Sequence, residues 1–182
     1  IIRNYPVAAL GLDESRLRGY EGSMHTEIAT AFPVTQLRLR RAEDGDLPFI
    51  RESALLWKLD DSSLALDQFL LAVGADGQSL GFGRVLKHSG YQEIATLGVV
   101  PEVRASGLGR LLVEALIAGC SSDDIWVVTE LTDWFAELGF RVMAKGPPEL
   151  QKKLRLCAIE KGHRAARLMH LRKYSPFSNG QH

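Results

Sequence analysis

Arg104, Gly107 and Gly109 stand in the run Val99-Val100-Pro101-Glu102-Val103-Arg104-Ala105-Ser106-Gly107-Leu108-Gly109-Arg110-Leu111-Leu112, where an apolar segment passes through an Arg-x-x-Gly-x-Gly turn into apolar residues at helical spacing. Such a junction suits a phosphate. The first N–H groups of a helix have no intrahelical acceptors, and glycines let that backbone approach an anion unobstructed. Arg104 adds a charge-assisted contact that can be bidentate. Two other glycine-rich cradles do not fit. No Lys-Ser or Lys-Thr follows Gly109, as a nucleotide P-loop requires, and Leu112 stands where a dinucleotide-binding fingerprint places its third glycine.

The elements that must position this turn can be read from the pattern around it. Leu37-Arg38-Leu39-Arg40 alternates as a first strand, and Asp44 to Pro48 supplies capping residues ahead of an apolar helix from Phe49 to Trp57. Phe69 to Val73 and Leu80 to Leu86 read as a hairpin about Asp76-Gly77. A strand from Tyr91 to Val100 alternates, with Glu93, Ala95, Leu97 and Val99 on one face, so Glu93 shares a face with the strand end that leads into the cradle. A helix from Leu108 to Ile117 stops at Gly119, and the apolar run Ile125 to Val128 suits a buried parallel strand. Trp134 to Leu138 forms a short helix ended by Gly139. Phe140 to Met143 is a strand, Pro147-Pro148 opens a basic helix to about Ile159, and Ala166 to Lys173 is the last strand.

Length and composition bound the class. The 182 residues, 46% of them hydrophobic, suffice for one well-buried domain. Lys plus Arg equal Asp plus Glu at 22 each, so no overall field draws the chain to nucleic acid or to an acidic membrane. Cys120 and Cys157 are too few for a disulfide framework and have no metal-ligand spacing to any histidine, so no metal is expected. No run approaches the roughly 18 apolar residues of a membrane span, and no leader pattern is visible; a cytoplasmic setting is expected. Residues 1–36 read as an extension. Within it Gly22-Ser23-Met24 is either a cloning junction, which would make 1–23 foreign, or part of a natural extension with a surface helix from Leu12 to Tyr20. Residues 37–174 form the expected domain and 175–182 a tail.

The Val-x-Pro strand end, the Arg-x-x-Gly-x-Gly turn and the Leu-Leu helix resemble the acetyl-CoA pyrophosphate loop of the GNAT superfamily of N-acetyltransferases. Trp134-Phe135-Ala136-Glu137-Leu138-Gly139-Phe140 is similar to that superfamily's second signature, a helix followed by Gly-Phe and a strand. The resemblance implies an α/β fold with a central mixed, twisted sheet of six or seven strands flanked by helices, the fourth and fifth strands splayed apart. It implies that backbone groups of Val99 and Val100 pair with the pantetheine arm, and that the N–H groups of Arg104, Ala105, Ser106, Gly107, Leu108, Gly109 and Arg110 take the pyrophosphate. Within the superfamily, Ile125 to Thr129 running into Asp133-Trp134-Phe135, and the tail with Ala166-Arg167-Leu168-Met169, resemble the acetyltransferase domain of bacterial N-acetylglutamate synthase. That enzyme usually carries an amino-acid-kinase domain ahead of this one, which is not expected within these 182 residues.

What the resemblance implies chemically is transfer of an acetyl group from acetyl-CoA to the amine of a small substrate, glutamate or a related amino acid being the first choice. Glu93 precedes Arg104 by eleven residues, the spacing of the catalytic glutamate in members that use one, and is the expected general base, with Ala95 and Leu97 as an apolar setting. Phe135 occupies the usual place of an acidic tyrosine, so a side-chain acid is not evident. A backbone N–H near Val99 or Val100 is the implied oxyanion donor. An α-amine, with a reference pKa about 8, needs roughly 1.4 kcal/mol to be neutral at pH 7, whereas lysine, at about 10.4, needs nearly 5. A lone glutamate serves the first more easily. The basic stretch Lys152 to Lys173 reads as a solvated face or as an attractor of a substrate carboxylate. His88, His163 and His170 read as surface or loop residues, and Trp57, Trp126 and Trp134 as core or cleft wall. Alternatives are acetylation of a protein or drug-like amine, and a non-catalytic acyl-CoA sensor. A homodimer is plausible from the resemblance.

Overall fold

The computed structural model describes residues 37–160 and 162–173; the extension expected at 1–36 and the tail at 175–182 lie outside them. Seven strands follow the order β1-β2-β3-β4-β5-β7-β6 in one open mixed sheet: β1 (Arg38–Arg41), β2 (Phe69–Val73), β3 (Ser79–Lys87), β4 (Gln92–Val99), β5 (Asp124–Thr129), β6 (Arg141–Met143) and β7 (Arg167–Arg172). The helices are α1 (Leu47–Leu56), α2 (Leu108–Gly119), α3 (Thr132–Glu137) and α4 (Pro148–Glu160). By its contacts the chain divides into two units, one reaching to Arg84 and including Thr96–Ala118, the other made of Val85–Ala95 and the chain from Gly119. The division passes through β3 and β4.

In the first unit, β2 reads Phe-Leu-Leu-Ala-Val and is apolar on both faces because both are covered. Phe69, Leu71 and Val73 pack with Ile50 of α1 and Phe82, while Ala72 packs with Leu39, Leu80 and Leu108, Leu112 and Ala115 of α2. The period-two alternation of the strand thus places α1 and α2 on opposite faces. α1 starts behind a short 3-10 turn, Asp44–Asp46, with Pro48 in its first turn, where a missing N–H leaves no bond unmade. At Gly98 a Cβ would stand 2.6 Å from Cζ3 of Trp57, so only glycine lets the indole come this close to β4. Trp57 stacks in turn on Phe82, with centroids 5.9 Å apart and planes at 11°.

In the second unit, β4 and β5 run parallel in register from Gln92–Ile125 through Glu93–Trp126 to Ile94–Val127. β7 pairs antiparallel with both β5 and β6. Tyr91, Trp126, Leu150 of α4 and Leu168 of β7 form its buried cluster. α3 ends at Gly139, whose φ of +90° closes the helix, and Phe140 then packs edge-on against Phe135 with centroids 5.3 Å apart. Phe135 is therefore a core residue, 2% exposed.

β4 is not the regular strand its alternation predicts. Thr96 has φ +50°, a left-handed conformation that a β-branched residue rarely adopts, and it breaks the expected facing of Glu93, Ala95, Leu97 and Val99 as a single row. The strand also ends at Val99 rather than Val100.

Candidate acetyl-donor cradle and carboxylate cluster

Two groups of candidate residues emerge, each within its own unit. The first is the turn between β4 and α2. A 3-10 turn over Pro101–Val103 follows β4, and the chain then reverses through Ala105 at φ +62° and Gly107 at φ +88°. The Ser106 hydroxyl donates to the Val103 carbonyl at 2.7 Å, fixing the turn from inside. The first backbone bond of α2 runs from the Leu111 N–H to the Gly107 carbonyl at 3.1 Å. The N–H groups of Leu108, Gly109 and Arg110 precede that bond and gather at the positive end of a twelve-residue helix. Arg104, Ala105, Ser106 and Gly107 are exposed, so the turn opens to solvent. A Cβ at Gly107 would meet nothing within 4 Å; it is the backbone conformation that calls for glycine there.

Arg104 does not stand free above the turn. Its Nε donates to the Val99 carbonyl at 3.0 Å and its guanidinium carbon lies 5.4 Å from the Trp57 ring centroid. The two terminal nitrogens keep their donor capacity while the base of the fork is fixed. Of the two valines expected to offer backbone groups, Val100 gives its N–H to the Leu80 carbonyl at 2.9 Å. Successive peptide groups of a strand point to opposite edges, so the N–H of Val99 is directed away from Leu80. Arg110 pairs with Glu114 one helical turn on, at 3.0 Å.

The second group surrounds Glu93. The residue is 1% exposed, and the neighbours along its strand are not what engage it. Nζ of Lys153, from α4, lies 2.5 Å from Oε1, and Nε2 of His88 lies 3.3 Å from Oε2. The His88 ring stacks on Tyr91 with centroids 4.5 Å apart and planes at 6°. Tyr91 reaches Oε2 of Glu149 with its hydroxyl at 3.4 Å, and burial, aided by the charges of Glu149 and Glu93, pushes its phenol up to about 12. It stays a neutral donor at any physiological pH.

The expectation of an apolar setting for Glu93 is thus replaced by a pair of nitrogen partners. The sequence places His88 on the surface or a loop and Lys153 within the basic stretch Lys152 to Lys173, and pairs neither with Glu93. The only signal for His88 is the Ser89-Gly90 turn, which folds it back on Tyr91, its N–H reaching the Tyr91 carbonyl at 3.0 Å. Lys153 lies sixty residues from Glu93 within a basic helix, most of whose charges are exposed as expected. The other two histidines expected on the surface also meet carboxylates, His163 with Glu130 and His170 with Asp124, each at 3.0 Å. Burial pushes the Cys120 thiol up from its ordinary value, as expected of an inert core cysteine. Among the described residues no cluster could hold a metal ion, and no helix is long and apolar enough to cross a membrane.

No protein-family model and no curated protein matches the chain. Solved structures do. A Mycobacterium tuberculosis protein in complex with CoA and the ligand NLQ superposes with a TM-score of 0.63 at 23% identity, over 75% of this chain and 99% of that one. N-acetylglutamate synthase from Neisseria gonorrhoeae, complexed with coenzyme A and N-acetyl-glutamate, gives 0.63 at 22% identity over 76% of this chain, which spans only 35% of the synthase. Ard1 from Thermoplasma volcanium gives 0.59 at 16% identity, over 77% and 99% of the two chains. The fold is that of the GNAT acetyltransferases, as the two signatures implied, with seven strands.

Proposed function

We propose that this chain is an N-acetyltransferase that uses acetyl-CoA and acts on the amine of a small substrate, with an α-amino acid such as glutamate as the first candidate. The observation that carries the reading is the turn from Arg104 to Arg110. Its two left-handed residues and the start of a twelve-residue helix make a solvent-open anion cradle in a fold whose solved neighbours hold CoA. Among them the Neisseria synthase also holds N-acetyl-glutamate.

In this reading the N–H groups of Ala105 and of Gly107 to Arg110 and the terminal nitrogens of Arg104 hold the donor's diphosphate, while the expected N–H groups of Arg104 and Ser106 are given to the carbonyls of Pro101 and Val103 at 3.2 and 3.4 Å, and the edge of β4 at Val99 directs its arm. Glu93 takes the proton as the amine nitrogen bonds to the thioester carbon and the carbon–sulfur bond breaks, the electron pair leaving with sulfur. The Val99 N–H, directed away from Leu80, is the backbone donor available to the carbonyl oxygen as it gains charge, a contribution of about 3 to 4 kcal/mol where such donors have been removed. Phe135 gives no proton to the leaving sulfur, and a thiolate with a reference pKa of about 8.5 departs without one.

The test is thiol release from acetyl-CoA across a panel of amino acids, peptides, lysine derivatives and drug-like amines, beside a direct CoA titration. Release with small α-amines and micromolar CoA binding is expected. CoA binding with no release for any amine would identify an acyl-CoA sensor instead, and absence of CoA binding would refute the reading.

A further inference from the structure

Glu93 is closed off from solvent, and His88, which touches it, is not. The Glu93 side chain is 2% exposed and that of His88 26%. A base that takes a proton in each turnover must lose it before the next, and a buried carboxyl group has to hand it to a neighbour. The ammonium of Lys153, on Oε1, has no lone pair to receive it. An imidazole whose hydrogen is on Nδ1 has one on Nε2, the atom that lies 3.3 Å from Oε2. The ring is also held in place for the exchange. The turn after His88 is closed by Gly90 at φ +86°, the His88 N–H reaches the Tyr91 carbonyl at 3.0 Å, and the imidazole lies flat on the buried Tyr91 ring with centroids 4.5 Å apart.

We propose that His88 is a proton relay between Glu93 and solvent. The inference rests on the transferase reading, in which Glu93 is the base, and it adds the residue that returns that base to its working state. The proton taken from the amine sits on Oε2. The Oε2–H bond then breaks as an Nε2–H bond forms, which leaves a carboxylate beside an imidazolium, and the imidazolium gives a proton to water or to a buffer base. Each cycle ends with Glu93 ionised and His88 neutral. The other groups facing the relay are Lys153, on Oε1, and Tyr91, whose hydroxyl meets Glu149. The Tyr91 phenol, pushed up to about 12, keeps its own proton and neither supplies nor takes one.

The experiment compares the full chain with His88→Ala and His88→Gln in thiol release from acetyl-CoA, with and without added imidazole. Both variants should lower kcat about 100-fold, the low end of what a positioned proton acceptor contributes, while KM for the amine and CoA affinity hold. His88→Ala leaves a ring-sized gap beside Oε2, and imidazole should restore its rate in proportion to the concentration of the neutral base. An unchanged kcat in both variants overturns the proposal. So does a loss in a normally melting His88→Ala protein that imidazole leaves as it is, the result that a merely structural histidine gives. His88→Gln keeps a polar contact to Oε2 without a titratable nitrogen; if His88→Ala fails to fold, full kcat in His88→Gln overturns the relay by itself. Failure of the transferase reading shows separately, as absence of CoA binding or of thiol release by the unaltered protein, and takes the relay with it. Release that depends on Glu93 but not on His88 overturns only the relay.

Discussion

Nε of Arg84 donates to Oγ1 of Thr96 at 2.8 Å, joining a guanidinium with no exposed surface to a strand residue at φ +50°. The Thr96 hydroxyl passes a hydrogen bond on to the Asp60 carbonyl at 2.7 Å, and Nη1 of Arg84 reaches the carbonyls of Ser62 and Ser63 at 2.9 and 3.1 Å. Asp60 supplies the opposing carboxylate at 3.4 Å. One cation therefore fastens the loop after α1 to β3 and to the irregularity in β4. Arg84→Leu should reduce the unfolding free energy by about 3 kcal/mol or more, because removing one member of a buried charged network leaves the others unsatisfied. Urea denaturation measures it; a loss under about 1 kcal/mol would mean the network is incidental.

Gly107 gives the cradle its shape through φ rather than through space. Gly107→Ala should cost about 1 kcal/mol of stability from left-handed strain alone. Gly107→Trp should add a side chain over the helix start and abolish CoA binding with the fold retained. Circular dichroism beside a CoA titration separates the two effects, and unchanged affinity in the tryptophan variant would remove the turn from the donor site.

Glu93→Gln keeps the shape of the side chain and withdraws the base. Turnover should fall by about 10²- to 10⁴-fold, the usual contribution of a positioned proton acceptor, with CoA affinity unaltered. A variant with full rate across pH would exclude Glu93 as the base.

Asp46 ties β1 to the start of α1, accepting from Arg40 at 2.6 and 2.8 Å and from the Glu43 N–H at 2.8 Å. The Arg40 hydrogen bonds hold its carboxyl below the ordinary value near 4, against the opposing effect of burial. A depressed folded value means that the stabilisation is whole above about pH 4 and is lost as pH falls through the folded pKa. Asp46→Asn should therefore destabilise by about 1 to 2 kcal/mol at pH 7, with the gap to the unaltered protein closing below pH 4. A gap independent of pH would point to packing instead of charge.

The left-handed turn and the helix start after it were legible from residue types, because the need for glycine at Gly107 and for a helix start at Leu108 is local. The strand Phe69 to Val73 and the stop at Gly139 were legible for the same reason: a continuous apolar run and a left-handed glycine act over a few residues. The surroundings of Glu93 were not. Lys153 reaches it from a distant helix, and nothing in a run of solvated lysines marks the one that turns inward. Arg84 looked like a charge within a hairpin strand, and its burial depends on carbonyls more than twenty residues earlier. The kink at Thr96 escaped period-two reading since alternation assumes the regularity that it breaks.

Trp57 is pressed against Gly98 of β4 and lies 5.4 Å from the Arg104 guanidinium, while that same arginine leads into the turn before α2. Indole emission responds to nearby charge, so this ring is a native optical gauge: a ligand that draws the guanidinium away from it alters the protein's own fluorescence, and arrival at the turn becomes visible without any label.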